Sequence, residues 1–308
     1  MLTKSALFVI IFSLFTVAAK AQDFVSAVRA TLEGYGIPAA ESVLKQYRDA
    51  RGVTPEYLEA YSWLGRKALA DRDYAAAVKY AEQTYDMSAA ELKRRGLDAE
   101  PHLPIALGAA IEVDGLAMAG QGDRTGAVAY LRGQEAKFAT TSIAPRIQKN
   151  INLISLEGKP APALRETQYL GPKPQPLTAY KGKPVILFFW AHWCGDCKIQ
   201  GPILARLKQE YGDRLVLVAP TQRFGYAAAG NPASAAEEMK YIEEVRKKYY
   251  PRLADAPVPV SEENFRRYGA STTPTLVVVG ADGRVKLYHP GRMSYEELKA
   301  ALASAGMS

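Results

Sequence analysis

The chain has 308 residues, a formal net charge of +7, and a hydrophobic fraction of 48%. A chain of this length is expected to form two domains. The net positive charge is small, and the sequence contains no dense run of lysine or arginine. Both features argue against a nucleic-acid-binding or membrane-surface protein.

The N-terminus has the pattern of a secretory signal peptide. Lys4 precedes a mostly apolar run over residues 6–19, and Ala19-Lys20-Ala21 matches an A-x-A cleavage site before Gln22. We therefore predict a signal peptide over residues 1–21, cleavage after Ala21, and a periplasmic location. An uncleaved membrane anchor is the alternative, although the run is short for a spanning helix, which needs about 20 apolar residues. No later segment is expected to be long and apolar enough to span a membrane.

Residues 22–155 are predicted to form an all-α domain of helical hairpins. Apolar residues recur at spacings of three and four, and two similar segments place Asp73 and Asp123 where a turn and a helix N-cap would fall. The stretches Trp63-Leu64-Gly65 and Arg72-Asp73-Tyr74 resemble tetratricopeptide hairpins in part. This domain is interpreted either as a docking surface for a protein partner or as a packed helical spacer.

A cluster of prolines marks the entry to a second domain, residues 156–308. Strands are predicted at 184–190, 214–219, 257–260, 274–279 and 285–288, and helices at 197–211 and 237–250. Ala281-Asp282-Gly283 is a hairpin turn signal, and Ser294 and Glu297 form a capping box that opens a last helix. Parallel units followed by an antiparallel hairpin and a helix predict an α/β sandwich.

Cys194 and Cys197 are the two cysteines of the sequence, and they stand where a predicted buried strand gives way to a helix. A bridge across two intervening residues would constrain little of the unfolded chain, so the spacing favours redox chemistry over a structural staple. Unpaired N–H groups and the helix dipole would favour a thiolate at Cys194. A structural disulfide and a metal-binding pair are the alternatives.

The second domain resembles the thioredoxin fold, specifically the exported TlpA/ResA-like thiol-disulfide oxidoreductases. The matching residues are Phe189-Trp190-Ala191-His192-Trp193-Cys194-Gly195-Asp196-Cys197-Lys198, then Pro202, then Thr273-Pro274-Thr275. The resemblance implies that Cys194 attacks a substrate disulfide and that Cys197 resolves the mixed disulfide. It also implies a cis bond before Pro274, a Thr273 backbone that pairs with an extended substrate, and a Trp193 side chain that covers the surface beside Cys194.

The same resemblance implies the partners and cofactors. We expect cysteine-containing protein substrates, a membrane-bound electron donor or acceptor, and a role as a reductant. The redox-active disulfide is expected to serve without a metal or another cofactor, and no nucleic acid is expected to bind.

Two positions depart from the family pattern. Phe188 stands where thioredoxins have a buried Asp, and Gln200 stands where TlpA/ResA-like proteins often have a Glu. Both acids assist proton transfer at the buried cysteine, so water, Asp196 and His192 are candidates for a substitute. We also hypothesise that Asp196, which follows Gly195 between the cysteines, competes with the thiolate for the helix N-terminus and raises the pKa of Cys194.

Other functions have weaker support. Thiol peroxidases use Pro-x-x-x-Thr-x-x-Cys, and no such pattern precedes Cys194. A copper chaperone would use the two cysteines with His192 or another histidine, and a partner-docking module would use the helical domain alone. The segment 221–236 is interpreted either as a substrate-facing loop or as a surface insertion.

Overall fold

The computed structural model describes residues 23–165 and 168–307. The signal-peptide prediction for residues 1–21 lies outside these residues. The first half of the described chain is helical throughout, as predicted. Its α-helices are α1 (Phe24–Tyr35), α2 (Ile37–Arg51), α3 (Pro55–Ala70), α4 (Tyr74–Glu91), α5 (His102–Gly120), α6 (Arg124–Lys137) and α7 (Ala144–Ser155).

The helices pair as hairpins because of capping and small residues. Asp73 caps α4 by accepting from the Ala76 N–H at 3.1 Å, and Asp123 caps α6 by accepting from the Gly126 N–H at 2.8 Å. At Gly115 a β-carbon would lie 2.8 Å from the Leu131 side chain, so only glycine allows α5 and α6 to approach this closely. The hairpins are confirmed, whereas the resemblance to tetratricopeptide repeats stays a prediction.

α5 is the central helix of this bundle, and it packs against α3, α4, α6 and α7. Within the described residues it is the one helix long and apolar enough to cross a membrane, and 56% of its apolar window is buried. The expectation that no later segment reaches this length and apolarity was therefore wrong. The helix is apolar over most of its surface because neighbouring helices cover it: Leu103, Leu107 and Ile111 are fully enclosed.

The second half contains a four-stranded sheet with helices on both faces. Its elements are β1 (Tyr169–Leu170), β2 (Val185–Phe189), α8 (Gly195–Tyr211), β3 (Val216–Val218), α9 (Ala235–Tyr249), β4 (Val258–Pro259), α10 (Glu262–Tyr268), β5 (Thr275–Val279), β6 (Val285–Pro290) and α11 (Tyr295–Ser304). The sheet order is β3-β2-β5-β6; β2 runs parallel to β3 and antiparallel to β5, and β1 pairs separately with β4. The predicted thioredoxin-like α/β sandwich is confirmed.

β2 is apolar at every position because both of its faces are covered. Ile186 and Phe188 belong to a core shared with α8, α9 and α11. Leu187 and Phe189 belong to a second core that includes Phe265 of α10. Packing on both faces of the sheet therefore holds β2 in place, and β2 leads directly to the start of α8, where the two cysteines lie.

The two halves contact each other directly through α7 and α10. Gly269, which ends α10 at φ +59°, lies against the backbone of α7, and a β-carbon there would be 2.3 Å from the Lys149 nitrogen. Ile154 packs in the helical core and Leu156 packs in the sheet core. Because the chain passes from one hydrophobic core to another between these residues, we propose two domains, 22–155 and 156–308.

Candidate active site

Cys194 and Cys197 form a disulfide at the start of α8, with their Cα atoms 5.3 Å apart. Cys194 is the N-cap of the helix, and its Sγ accepts a hydrogen bond from the Cys197 N–H at 3.0 Å. The structure thus places Cys194 where the sequence predicts it. The helix N-terminus stabilises negative charge, so a reduced Cys194 is favoured as a thiolate there.

The two sulfurs differ in access. Cys197 is completely buried, whereas Cys194 keeps 3% of its surface exposed. The Cys194 Sγ lies 3.4 Å from the carbonyl oxygen of Thr273. A substrate sulfur would therefore reach Cys194 first, next to the Thr273 backbone.

Thr273 and Pro274 form the second part of the site, and the peptide bond between them is cis. The loop is held by hydrogen bonds on either side, since Thr275 Oγ1 donates to the Thr272 carbonyl at 2.6 Å and the Gly291 N–H donates to the Pro274 carbonyl at 2.7 Å. Among the described residues Thr273 Oγ1 has no hydrogen-bond partner. This hydroxyl oxygen is itself buried, so the part of Thr273 that lies beside Cys194 is its backbone carbonyl.

The two tryptophans have different surroundings. Trp190 is buried, and its Nε1–H donates to the Ala219 carbonyl at 3.0 Å, which is a core role. Trp193 is 50% exposed, and its ring meets the edge of Phe224 with centroids 5.7 Å apart. An exposed indole next to a reactive sulfur suits contact with a protein partner.

His192 lies inside the domain and pairs with a carboxylate that sequence reasoning missed. Its Nε2 is 3.3 Å from Oε1 of Glu238, and both side chains are 1% exposed. Glu238 also accepts from the N–H groups of Phe224 and Gly225. Burial lowers the pKa of His192, and the hydrogen bond that His192 donates to Glu238 opposes this only in part. No pattern separates Glu238 from the other acids of the charged helix α9.

The positions of the missing family acids hold structural contacts. Gln200 is fully buried, and its Oε1 accepts from the Met293 N–H at 2.9 Å. Phe188 packs edge-on against Tyr250, with ring centroids 5.8 Å apart. Neither side chain can take or give a proton, so neither can do the work of the family acid.

Asp196 is at the surface. Its Oδ1 lies 3.3 Å from Nε of Arg292, and the side chains are 60% and 49% exposed. This position suits an electrostatic influence on the helix N-terminus. It does not suit proton transfer to Cys197, which is enclosed. Gly195, beside it, has open space where a side chain would stand.

Segment 221–236 lies over the active site. The rings of Phe224 and Tyr226 contact the His192 ring, with centroids 5.4 and 5.3 Å apart, and Phe224 also contacts Trp193. These contacts favour the substrate-facing interpretation.

Within residues 23–165 and 168–307, no group of three or more His, Cys, Asp or Glu residues could hold a metal ion, so the copper-chaperone alternative finds no donor set there.

The fold and the Cys194–Cys197 pair define a thioredoxin-like domain of the thiol-disulfide oxidoreductase class. Comparison with known proteins gives the same class. A Redoxin family model matches residues 156–303. Thioredoxin-like protein YneN of Bacillus subtilis (strain 168) is 30% identical over 149 residues, which is 47% of this chain and 78% of that protein.

Thiol-disulfide oxidoreductase ResA of Geobacillus thermodenitrificans (strain NG80-2) is 28% identical over 128 residues, 42% of this chain and 66% of that protein. A crystal structure of a putative thiol:disulfide interchange protein DsbE from Chlorobium tepidum covers 48% of this chain and 96% of its own, at 24% identity and a TM-score of 0.37. The chain belongs to the TlpA/ResA-like thioredoxin-fold family and is a thioredoxin-like oxidoreductase. None of these alignments extends over more than half of the chain.

Proposed function

We propose that this protein is an exported thiol-disulfide oxidoreductase that reduces disulfides in protein substrates through Cys194 and Cys197. The observation that carries the proposal is the position of Cys194, which caps α8 and lies 3.4 Å from the Thr273 carbonyl. A reactive sulfur and a backbone segment that can orient a substrate are therefore side by side.

The reaction would proceed by two exchanges. In the dithiol form, the Cys194 thiolate attacks one sulfur of a substrate disulfide, a Cys194–substrate bond forms, and the other substrate sulfur leaves as a thiolate. Cys197 then loses its proton and attacks Cys194, so the Cys194–Cys197 bond forms and the second substrate thiolate leaves. The Cα separation of 5.3 Å permits this ring closure without backbone movement.

The direction of electron flow is proposed from the charges around Cys194. A thiolate that is strongly stabilised makes a disulfide oxidising. Here the favourable N-terminus of α8 also carries the Asp196 carboxylate in its first turn, which disfavours a second negative charge. The pair is therefore expected to be reducing, and a reductant outside the cytoplasm needs electrons from a membrane-bound donor. Export itself rests on the pattern of residues 1–21.

Trapping of the mixed disulfide tests the assignment of the two cysteines. The Cys197→Ala variant should accumulate a covalent adduct with a disulfide-containing protein, because resolution is blocked. The Cys194→Ala variant should form none, because the accessible nucleophile is absent. Non-reducing electrophoresis and mass spectrometry measure both; equal adducts from the two variants would contradict the assigned roles.

A further inference from the structure

A groove joins the reactive end of the thioredoxin-like half to the helical half. Its first section has a volume of about 430 Å³ and is lined on one side by Trp193 and Thr273. The other side is the turn between α6 and α7, including Thr140 and Ser142. The helical half therefore provides one wall of a cavity that opens beside Cys194.

The groove continues away from the cysteines into a second section of about 510 Å³. Ser142 and Ser271 line both sections, so the two sections adjoin at these residues. The second section is lined by Glu112, Arg146 and Lys149 of the helical half. Exposed hydroxyl groups along the first section and the join can hydrogen-bond to the backbone of an extended peptide.

The second section carries an excess of positive charge. Arg146 Nε and Lys149 Nζ share one carboxylate oxygen, Oε2 of Glu112, at 2.8 and 2.9 Å. Burial lowers the pKa of Lys149, and Glu112 opposes this only in part. One carboxylate is thus paired with two cationic side chains, which leaves one positive charge unbalanced. The site is partly buried, and charge interactions there are stronger than in bulk water.

A second layer of charges lies behind this group. Burial and the charge of Arg146 lower the pKa of Arg66 to about 10, with Arg29 adding to the repulsion and Glu59 opposing it. The Arg66 Nε is buried and has no hydrogen-bond partner among the described residues. In the groove, Arg146 and Lys149 share the carboxylate of Glu112. Behind them, Arg66 and Arg29 are near Glu59, which is also in contact with His102 at 2.7 Å.

We propose that this groove binds an extended segment of the substrate protein, with the substrate cysteine at Cys194 and an acidic side chain of the same segment at Arg146 and Lys149. The inference rests on the proposed function and adds a substrate class, namely cysteine-containing segments with an Asp or Glu nearby. The helical half is then a specificity element for the thiol exchange, because it supplies both the far wall and the cationic section.

Matched peptides test the charge preference on the unaltered protein. Each peptide carries one cysteine joined to 2-mercaptoethanol by a disulfide, and one position at a set distance from that cysteine is Glu, Gln or Lys. At one or more distances the Glu peptide should be reduced about 5–10-fold faster than the Gln peptide, and the Lys peptide more slowly still, at low ionic strength. The preference should shrink in 1 M salt. Equal rates for all three peptides at every distance would overturn the proposal.

Wall variants test the groove itself. Thr140→Trp and Ser271→Trp fill the first section from opposite sides at exposed positions, and each should slow reduction of the Glu peptide at least about 10-fold. Reduction of hydroxyethyl disulfide, which needs Cys194 and Cys197 but is too small to occupy the groove, should be unchanged. Gln46→Trp on the exposed surface of α2 is the matched control and should react as the parent with both substrates.

The outcomes separate the groove from the proposed function. If the unaltered protein fails to reduce hydroxyethyl disulfide, the proposed function itself is wrong. If Thr140→Trp and Ser271→Trp reduce the Glu peptide normally, or slow both substrates equally, the groove proposal is overturned. Arg146→Gln should abolish the preference for Glu over Gln; should that variant fail to fold by circular dichroism, the peptide series on the unaltered protein still decides.

Discussion

At the scale of single residues, two opposing charges act on Cys194. Its sulfur accepts from the Cys197 N–H at the positive end of α8, which stabilises a thiolate. Asp196, in the first turn, has the opposite effect, and Arg292 at 3.3 Å partly neutralises it. The nucleophilicity of Cys194 thus depends on a surface ion pair next to the active site.

Asp196→Asn should lower the pKa of Cys194. Removing one charge near a helix N-terminus changes the free energy by about 0.3–1 kcal/mol, which corresponds to about 0.2–0.7 of a pKa unit. Thiolate absorbance of the reduced protein against pH measures it. Arg292→Gln is the matched control and should raise the pKa, because it leaves the Asp196 charge unneutralised. An unchanged value in both variants would remove Asp196 from the account.

His192 and Glu238 form a buried pair of titratable side chains. His192 is two residues before Cys194 in the chain, and Glu238 holds the ring together with the loop at Phe224 and Gly225. We propose that this pair positions the loop over the active site and takes the place of the missing family acid in proton transfer.

Stability should fall below about pH 6.5 because of His192. Its pKa is lowered in the folded protein by burial, so the unfolded chain, with a pKa of about 6.5, binds the proton more readily. The stabilisation from neutral His192 is fully present above that pH. As the pH falls below it, the free energy of unfolding decreases by at most about 1.4 kcal/mol per pH unit. Urea unfolding of the parent and of His192→Gln at pH 7.5, 6.5 and 5.5 measures it. Parallel pH curves for the two proteins would contradict the prediction.

At the scale of elements, the sequence predicts what local patterns encode. Three local patterns predicted their elements, and the structure confirms each one. They are the uninterrupted apolar run at β2, the N-caps Asp73 and Asp123, and the capping box of Ser294 and Glu297. α10 was missed because it has only seven residues and no side-chain cap at Ser261. Its place is fixed instead by long-range packing on α7.

Gly269→Ala should destabilise the protein by about 1–3 kcal/mol. A β-carbon there would meet the α7 backbone at 2.3 Å from Lys149 N, so one of the two helices must shift. Gly283→Ala is the matched control, because its φ is also positive, at +78°, and nothing lies within 4 Å of the added carbon. The control carries the strain of a positive φ without the clash, so it should cost less than Gly269→Ala. Urea unfolding compares them; equal losses would show that the contact between α7 and α10 is not tight.

At the scale of the whole molecule, function depends on contacts between residues that are distant in the sequence. The cysteines, Trp193 and Thr273 were predicted as a group because the resemblance to a known family specifies them together. Glu238 and the cationic section at Arg146 could not be predicted, because neither has a local pattern. Glu238 and the cationic section can be recognised as parts of a site only from tertiary contacts, namely those of segment 221–236 with His192 and those of α7 with α10.

The direction of electron flow is the central claim about the molecule as a whole. A reductant must hold its electrons at a lower potential than the disulfides it opens, and C-x-x-C proteins of this fold differ by more than about 100 mV in this property. The Asp196 carboxylate opposes the effect of the helix N-terminus on the Cys194 thiolate, and this predicts a value at the reducing end of that range.

The reduction potential of the Cys194–Cys197 pair tests this claim most directly. The purified protein is equilibrated in dithiothreitol or glutathione buffers of known potential, and the reduced fraction is measured by thiol alkylation and mass spectrometry. We predict a midpoint at or below about −250 mV. A midpoint near about −120 mV would contradict the account by making the protein an oxidant, and the absence of any transition would remove the redox function altogether.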